Sequence, residues 1–314
     1  MRILQTERLA LRWFTEHDAD FILALLNDAG WLQHIGDRGV RTADDARAWI
    51  ATRLVDGYWR QGFGFWAVER RATGELLGLC GLIHRDTLPE VDVGYAFMPA
   101  HRGHGYAREA TAACLDYARD ALGLRRVLAI TSPANRASQR VLEAAGMQLQ
   151  ERRALPGETR ETLVYVWQGG SANEAGEVVT DEAQIEALTR RFMGLFDNRG
   201  GAIPRLPTLP WLCLPETRIV KVVEAAPDSM DLRAFMTPRA ELLSQGRLTE
   251  FEEHEVQGRT QIFGHMAQRW FSYAKSGTLD GRPYCGTGCK SLHFARTAKG
   301  WRICGVVWDD DVVA

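Results

Sequence analysis

The stretch MPAHRGHGYAREA, residues 98–110, places Arg102, Gly103 and Gly105 between a strand-like apolar run and a run with helical periodicity. Strand, short glycine loop and helix together suit an anion. The first N–H groups of a helix have no internal partner, the helix dipole adds partial positive charge there, and glycine lets a ligand approach the backbone. Three ligand classes follow this logic. An ATP-binding P-loop needs Gly-Lys-Ser/Thr, whereas Tyr106 and Ala107 follow Gly105. A dinucleotide fingerprint needs a third glycine where Arg108 stands and an acidic residue closing the next strand, where RRVLAITS ends in Thr131-Ser132. The remaining class is a diphosphate held without metal by backbone N–H groups and an arginine, and coenzyme A fits it. Taken alone, the loop is also compatible with a glycine-rich turn that holds nothing.

The elements that must position this loop read as mixed α/β. ERLALRWF, GFWAVERR, ELLGLCGLIH, VDVGYAFM, RRVLAITS and ETLVYVWQ have strand patterns. DADFILALLND, TADDARAWIATRLV, GYAREATAACLDYARDAL and NRASQRVLEAAG have helical ones, with Thr42 and Asn135 as caps. The small, polar, glycine-rich GGSANEAGEV suggests a linker. The expected organisation is therefore residues 1–168 as one domain, 169–180 as linker and 181–314 as a second domain. In the second, TDEAQIEALTRRFMGLFDN is an amphipathic helix, and TRIVKVVEA, LTEFEEHEVQGRTQIFGHMAQRWFSYAK, KSLHFARTA and GWRICGVVWDDD are strand-like. TAKG has the composition of a tight hairpin turn. A helix followed by a long antiparallel meander implies an α+β fold with a curved sheet on a helix.

The bulk numbers agree with two domains of an ordinary globular protein: 314 residues, 46% hydrophobic, 25% charged, net charge −2. No strongly basic domain points to nucleic acid, no apolar run is long enough to span a membrane, and the N-terminus lacks a signal-like core. Six scattered cysteines read as reduced thiols in a cytoplasmic protein. Cys285 and Cys289 form CGTGC, a spacing with no second pair for zinc, so no metal is expected and a glycine-rich hairpin turn is. His101 and His104 read as solvent-facing loop residues.

RGHGYA, residues 102–107, matches the Arg-x-x-Gly-x-Gly/Ala signature of the GNAT acetyltransferases, and three further blocks follow the same family in order. QTERLALR resembles the opening strand of its ribosomal-protein alanine/serine N-acetyltransferase branch. VDVGYAFMP resembles the branch's acidic-x-Gly-Tyr strand, and NRASQRVLEAAGM its Asn-x-x-Ser helix, with Met147 in place of Phe. The resemblance covers about residues 3–168. It implies the GNAT fold, a mixed and mostly antiparallel sheet flanked by helices, and direct acetyl transfer from acetyl-CoA to a primary amine on a protein N-terminus or a small molecule. By the same resemblance, the backbone of Phe97 and Met98 lies near the thioester. Residues Gly103, His104, Gly105, Tyr106 and Ala107 with Arg102 hold the pyrophosphate, and Asn135 and Ser138 face the pantetheine and sulfur.

Chemistry of this kind needs a proton acceptor for the amine and a proton for the thiolate. Asp92 aligns with the family's acidic residue, and Glu90 lies on the same side of a period-2 strand. Asp92 is the preferred base, Glu90 the other candidate, and either needs burial to raise its pKa. An alternative role for Asp92 is recognition of the amine's charge. Many family members carry a tyrosine acid where Leu142 stands here; Ser138, one turn earlier, is the replacement the branch implies. Asn135 is read both as helix cap and as pantetheine contact. Trp31, His34 and Arg38 belong to a loop that either lines the acceptor cleft or packs on itself.

Residues 181–311 resemble the nuclear-transport-factor-2-like (SnoaL-like) domains, on element order and the closing GWRICGVVW. That resemblance implies a cone of strands around an apolar pocket, for ligand binding or for a homodimer. His254, His265, Tyr273 and Asp231 are its candidate polar groups, each better explained by packing or exposure. Two alternatives stay open: a non-catalytic acyl-CoA sensor, and a bifunctional enzyme with isomerase- or cyclase-like chemistry in the second domain.

Overall fold

The run LLGLCGLIH is buried from Leu77 to Leu82 in the computed structural model, as a central strand covered on both faces must be. The structure describes residues 1–157, 159–169, 179–223 and 226–310. Two compact units emerge, Arg2–Tyr58 with Phe63–Ala175, and Trp59–Gly62 with Gly176–Ala314 and Met1. Most of the expected linker lies outside the described residues. Among them, no helix is long and apolar enough to cross a membrane.

In chain order the first part comprises β1 (Arg2–Gln5), β2 (Leu9–Arg12), α1 (Ala19–Leu26), α2 (Ala29–His34), α3 (Ala43–Trp49), α4 (Asp56–Gln61), β3 (Phe65–Arg70), β4 (Leu76–His84) and β5 (Val91–Phe97). It continues with α5 (Tyr106–Asp120), β6 (Arg126–Thr131), α6 (Arg136–Ala144), β7 (Gln148–Ala154) and β8 (Glu161–Gln168). The strands form one sheet in the order β1-β2-β3-β4-β5-β6-β8-β7, antiparallel except for β5 and β6. Local signals set the helix ends. Thr42 and Asp45 close a reciprocal capping box on α3, and a π-helical turn, Ile50–Val55, extends it. Cys80 on β4 meets Cys114 on α5 at 3.5 Å, two buried thiols packed between sheet and helix.

The second unit contains α7 (Asp181–Met193), α8 (Leu209–Leu212), β9 (Cys213–Val223), β10 (Ala226–Met230), α9 (Leu232–Ser244), β11 (Leu248–Phe263), β12 (Met266–Leu279), β13 (Arg282–Thr297) and β14 (Gly300–Asp310). Its sheet runs β10-β9-β14-β13-β12-β11. The meander β11–β14 is antiparallel, as its sequence pattern requires, and Thr297 pairs with Gly300 across the TAKG turn. The pairing of β14 with β9 is parallel, which the sequence did not signal.

CGTGC is not a turn. It lies within β13, with Cys285 opposite Ser276 and Cys289 opposite Ser272. Its glycines answer to packing: a Cβ on Gly288 would sit 2.3 Å from the Asp309 carbonyl oxygen and 2.7 Å from the Tyr273 hydroxyl. Of the polar candidates here, Asp231 caps α9 through Ala234 N–H, and His265 stands in the exposed turn between β11 and β12. His254 lies on β11 opposite Ala274. Tyr273 is buried and donates to Asp310, whose carboxylate also accepts from Lys275 Nζ at 2.8 Å. Lys290 is buried beside Glu253 and stands 4.0 Å from the Tyr273 ring centroid.

Candidate active site

The one parallel pairing of the first sheet creates the site. β5 and β6 are in register only at Asp92 opposite Leu128. Beyond that point β5 keeps its β4 partner but has none on the other edge. Met98 N–H donates to Leu77 O at 3.0 Å. Alternation along an antiparallel ladder therefore turns the backbone groups of Tyr95 and Phe97 away from β4, into the gap left by β6. The Phe97 carbonyl is met there by Arg102 Nε at 2.9 Å. Met98 N–H is committed to the sheet and the Phe97 carbonyl to Arg102, so the backbone available along this edge is that of Tyr95 and the Phe97 N–H.

At the far end of β5 the glycine loop takes the shape its composition allows. Gly103 and Gly105 both have φ of 80°, in the left-handed region that favours glycine. Gly105 is the N-cap of α5 and offers no side-chain cap. Among the described residues, the N–H groups of residues 103–107 have no hydrogen-bond acceptor, and they open at the positive end of a 15-residue helix. Arg102 does not lie free beside this nest: its Nη2 pairs with Asp28, which also accepts from Gly30 N and Trp31 N. It ties the loop to α2. His104 hydrogen-bonds the Arg102 carbonyl through Nδ1 at 2.9 Å and stacks on Tyr106, with ring centroids 5.8 Å apart. Arg8 lies over the Tyr106 ring at 4.8 Å. His101, expected in solvent, is instead 14% exposed and 3.3 Å from Glu75, because the short helical turn Pro99–His101 folds it against the sheet.

At the near end, Asp92 is fully buried and both its oxygens accept from Arg85 Nε, at 3.0 and 3.1 Å. Burial outweighs the arginine and lifts the carboxyl to about 6. Glu90 precedes the strand, is half-buried, and binds Arg126 Nε at 2.8 and 2.9 Å. The two carboxylates thus have different surroundings.

Three residues further along β5, Tyr95 points to the opposite face from Asp92. Its hydroxyl lies 2.9 Å from Ser138 Oγ and donates to Ser138 O at 3.1 Å. Burial pushes the Tyr95 phenol above its ordinary value. Asn135 is the N-cap of α6, accepting from Ser138 N–H at 3.0 Å through Oδ1, with Nδ2 unpartnered among the described residues. Replacing Asn135 by Ala is expected to cost about 1 kcal/mol of stability, read as a lower denaturation midpoint. Leu142 is buried.

In the sequence Tyr95 is legible only as the tyrosine of the acidic-x-Gly-Tyr strand, and Arg85 carries no signal of a role. Tyr95 stands at an odd spacing from Asp92 in the same strand, a signal that the two serve different faces. Arg85 follows β4 across a hairpin from Asp92, and only the register reveals it. Trp31 is buried, its Nε1 donating to the Gly36 carbonyl at 3.1 Å, so it packs the loop. His34 is exposed.

Residues 8–148 match the family described as Acetyltransferase (GNAT) domain. The uncharacterized protein YkkB of Bacillus subtilis (strain 168) is 34% identical over 149 residues, covering 46% of this chain and 84% of YkkB. The uncharacterized N-acetyltransferase YoaA of the same organism is 32% identical over 151 residues, covering 46% of this chain and 82% of YoaA. Among solved structures, the acetyltransferase (GNAT family) from Bacillus anthracis shares 25% identity and covers 54% of this chain and 99% of its own, with a TM-score of 0.46.

Proposed function

This chain belongs to the GNAT acetyltransferase family, and from that premise we propose that its first unit moves an acetyl group from acetyl-CoA to a primary amine by direct attack. The observation that carries this reading is the gap between β5 and β6, with a nest of unsatisfied N–H groups at one end and a buried carboxylate at the other. In this reading the nest of residues 103–107 binds the diphosphate, and the backbone of Tyr95 with the Phe97 N–H aligns the pantetheine arm. Arg102 holds the loop in place through Asp28 and Phe97, rather than serving as a free phosphate ligand.

The two faces of β5 divide the chemistry. Asp92, titrating at about 6, accepts the proton of the incoming amine from one face. Ser138, paired with Tyr95, hydrogen-bonds the departing sulfur from the other, and the thiolate takes its proton from solvent. Glu90 is held by Arg126 and takes no part in this scheme. A cap formed by Asn135 Oδ1 leaves its amide Nδ2 for the pantetheine. Ser138→Ala is expected to lower kcat by about 10- to 100-fold, with Tyr95→Phe giving a smaller loss in the same direction. Both should leave acetyl-CoA affinity nearly unchanged.

We read the second unit as nuclear-transport-factor-2-like, for ligand binding or dimerisation. A leading helix, α7, and a six-stranded sheet with one covered face support that reading. Calorimetric titration with acetyl-CoA, followed by thioester consumption over an amine panel, tests the activity. Binding with turnover is the expected result. Binding without turnover of any amine favours an acyl-CoA sensor, and no binding removes the reading.

A further inference from the structure

The turn between β1 and β2 is a built structure. Thr6 N–H donates to the Leu9 carbonyl at 2.9 Å, and Leu9 N–H donates to Thr6 Oγ1 at 3.0 Å. Arg71, just past β3, holds the Thr6 carbonyl through Nη1 at 2.7 Å and the Arg8 carbonyl through its N–H at 2.9 Å. From this fixed turn Arg8 reaches the glycine loop and α5 at once. Its Nε meets Glu109 Oε2 at 2.6 Å, and its own N–H donates to Glu109 Oε1 at 3.0 Å, where Thr6 Oγ1 also donates at 2.5 Å. Its Nη1 donates to the His104 carbonyl at 3.0 Å.

Both contacts act on the diphosphate nest. The peptides here are trans, so the C=O and N–H of one peptide point in opposite directions. Arg8 holds the His104 carbonyl toward itself and so turns the Gly105 N–H to the opposite side. The His104 ring does the same two residues earlier. Its Nδ1 meets the Arg102 carbonyl at 2.9 Å and must carry the proton, because a carbonyl only accepts, and this turns the Gly103 N–H. Glu109 stands in the first turn of α5, where an anion is favoured, and its carboxylate competes with any external anion for that helix end. Burial by itself would raise the Glu109 carboxyl, but the bonds from Thr6 and Arg8 outweigh it and hold the group below its ordinary value. The negative charge is therefore permanent, and Arg8 is the cation that offsets it.

We propose that Arg8 is a positioning residue for acetyl-CoA: by fixing the His104–Gly105 peptide and pairing Glu109, it keeps the nest oriented and receptive to the diphosphate without touching the ligand. This deepens the acetyl-transfer reading and rests on it. The opposed directions of C=O and N–H place Arg8 on the far side of the peptide from the diphosphate.

The test titrates the full chain with CoA and with 3′-dephospho-CoA by calorimetry, in wild type, Arg8→Gln, Arg8→Lys, Glu109→Gln and the Arg8→Gln/Glu109→Gln double variant. Arg8→Gln should raise both dissociation constants about 10-fold, and equally, since both ligands carry the diphosphate. Glu109→Gln alone should bind as wild type or slightly more tightly. The double variant should recover several-fold of the loss, because no carboxylate is left to offset. Arg8→Lys keeps the charge but not the fork that reaches Glu109 and His104 together, so its loss should be intermediate. It stands in for Arg8→Gln should that variant not fold. Unchanged affinity in the Arg8 variants, a loss confined to CoA, or a double variant no better than Arg8→Gln overturns the proposal. A loss confined to CoA would instead put Arg8 against the 3′-phosphate. Wild type that binds neither ligand removes the acetyl-transfer reading and this role with it, whereas tight binding indifferent to Arg8 removes the role of Arg8 alone.

Discussion

Asp92→Asn is expected to lower kcat/KM by about 100- to 10,000-fold, the span over which a positioned general base acts, while acetyl-CoA affinity is retained. The pH profile separates a base from a mere recognition group. Asp92 titrates at about 6, so below that pH the carboxyl is protonated and cannot accept the amine's proton. The wild-type rate should fall about tenfold per pH unit below 6 on this limb. The limb should vanish in the asparagine variant, leaving only the titration of the amine. A variant that loses rate but keeps the limb near pH 6 would remove Asp92 from the role of base. Stability supplies a second reading of the same group. Its folded value, about 6, exceeds the ordinary 3.8, so the folded state binds this proton more tightly than the unfolded chain. The favourable contribution is fully present below 3.8 and is lost as pH rises through 6. Above that, the ionised, buried Asp92 costs on the order of 3 kcal/mol. The asparagine variant should therefore be no less stable than wild type at pH 7, although far less active. The carboxylate is expensive to the fold, as a functional carboxylate in a dry site is expected to be.

Gly105→Glu should raise the acetyl-CoA dissociation constant by at least about 100-fold, or roughly 2.7 kcal/mol. Two effects combine. Gly105 has φ of 80° at the helix N-cap, a conformation costing an L-residue about 1–2 kcal/mol. A carboxylate is also placed where the helix end and the free N–H groups favour an external anion. Gly105→Ala separates the two, since it brings strain without charge and should give an intermediate loss. Both variants should fold, because a Cβ at this position approaches Arg8 Nη2 no closer than 3.4 Å. Equal affinity for wild type and the glutamate variant would place the diphosphate elsewhere.

The local features of this protein were decided by short-range chemistry, and the sequence alone displayed them. The glycine loop, the Thr42 capping box, the Asn135 cap and the Thr297–Gly300 turn depend on neighbours within a few residues. Strand Val91–Phe97 and the buried run of β4 follow from apolar patterning. The expectation that Asp92 needs burial to act as a base is also a local argument, and the structure buries it completely.

What tertiary structure decided are facts of register and of long-range pairing. Apart from the Gly94-Tyr95 that aligns Asp92 with the family's acidic residue, nothing near it in the chain distinguishes it from Glu90, two residues away. One enters the strand against Arg85 and the other stays outside with Arg126, a partner 36 residues distant. The pairing of Tyr95 with Ser138 spans 43 residues and depends on where α6 crosses the sheet. CGTGC reads as a turn because glycine serves turns and close strand packing equally well, and only Tyr273 and Asp309 across the sheet choose between them. Arg102 was legible as a charge beside the nest, but not as the partner of Asp28, 74 residues earlier. In each case composition specifies which interactions a residue can make. The path of the distant chain selects the one it does make, because an ion pair or a packed Cβ depends on distance in space rather than separation in sequence.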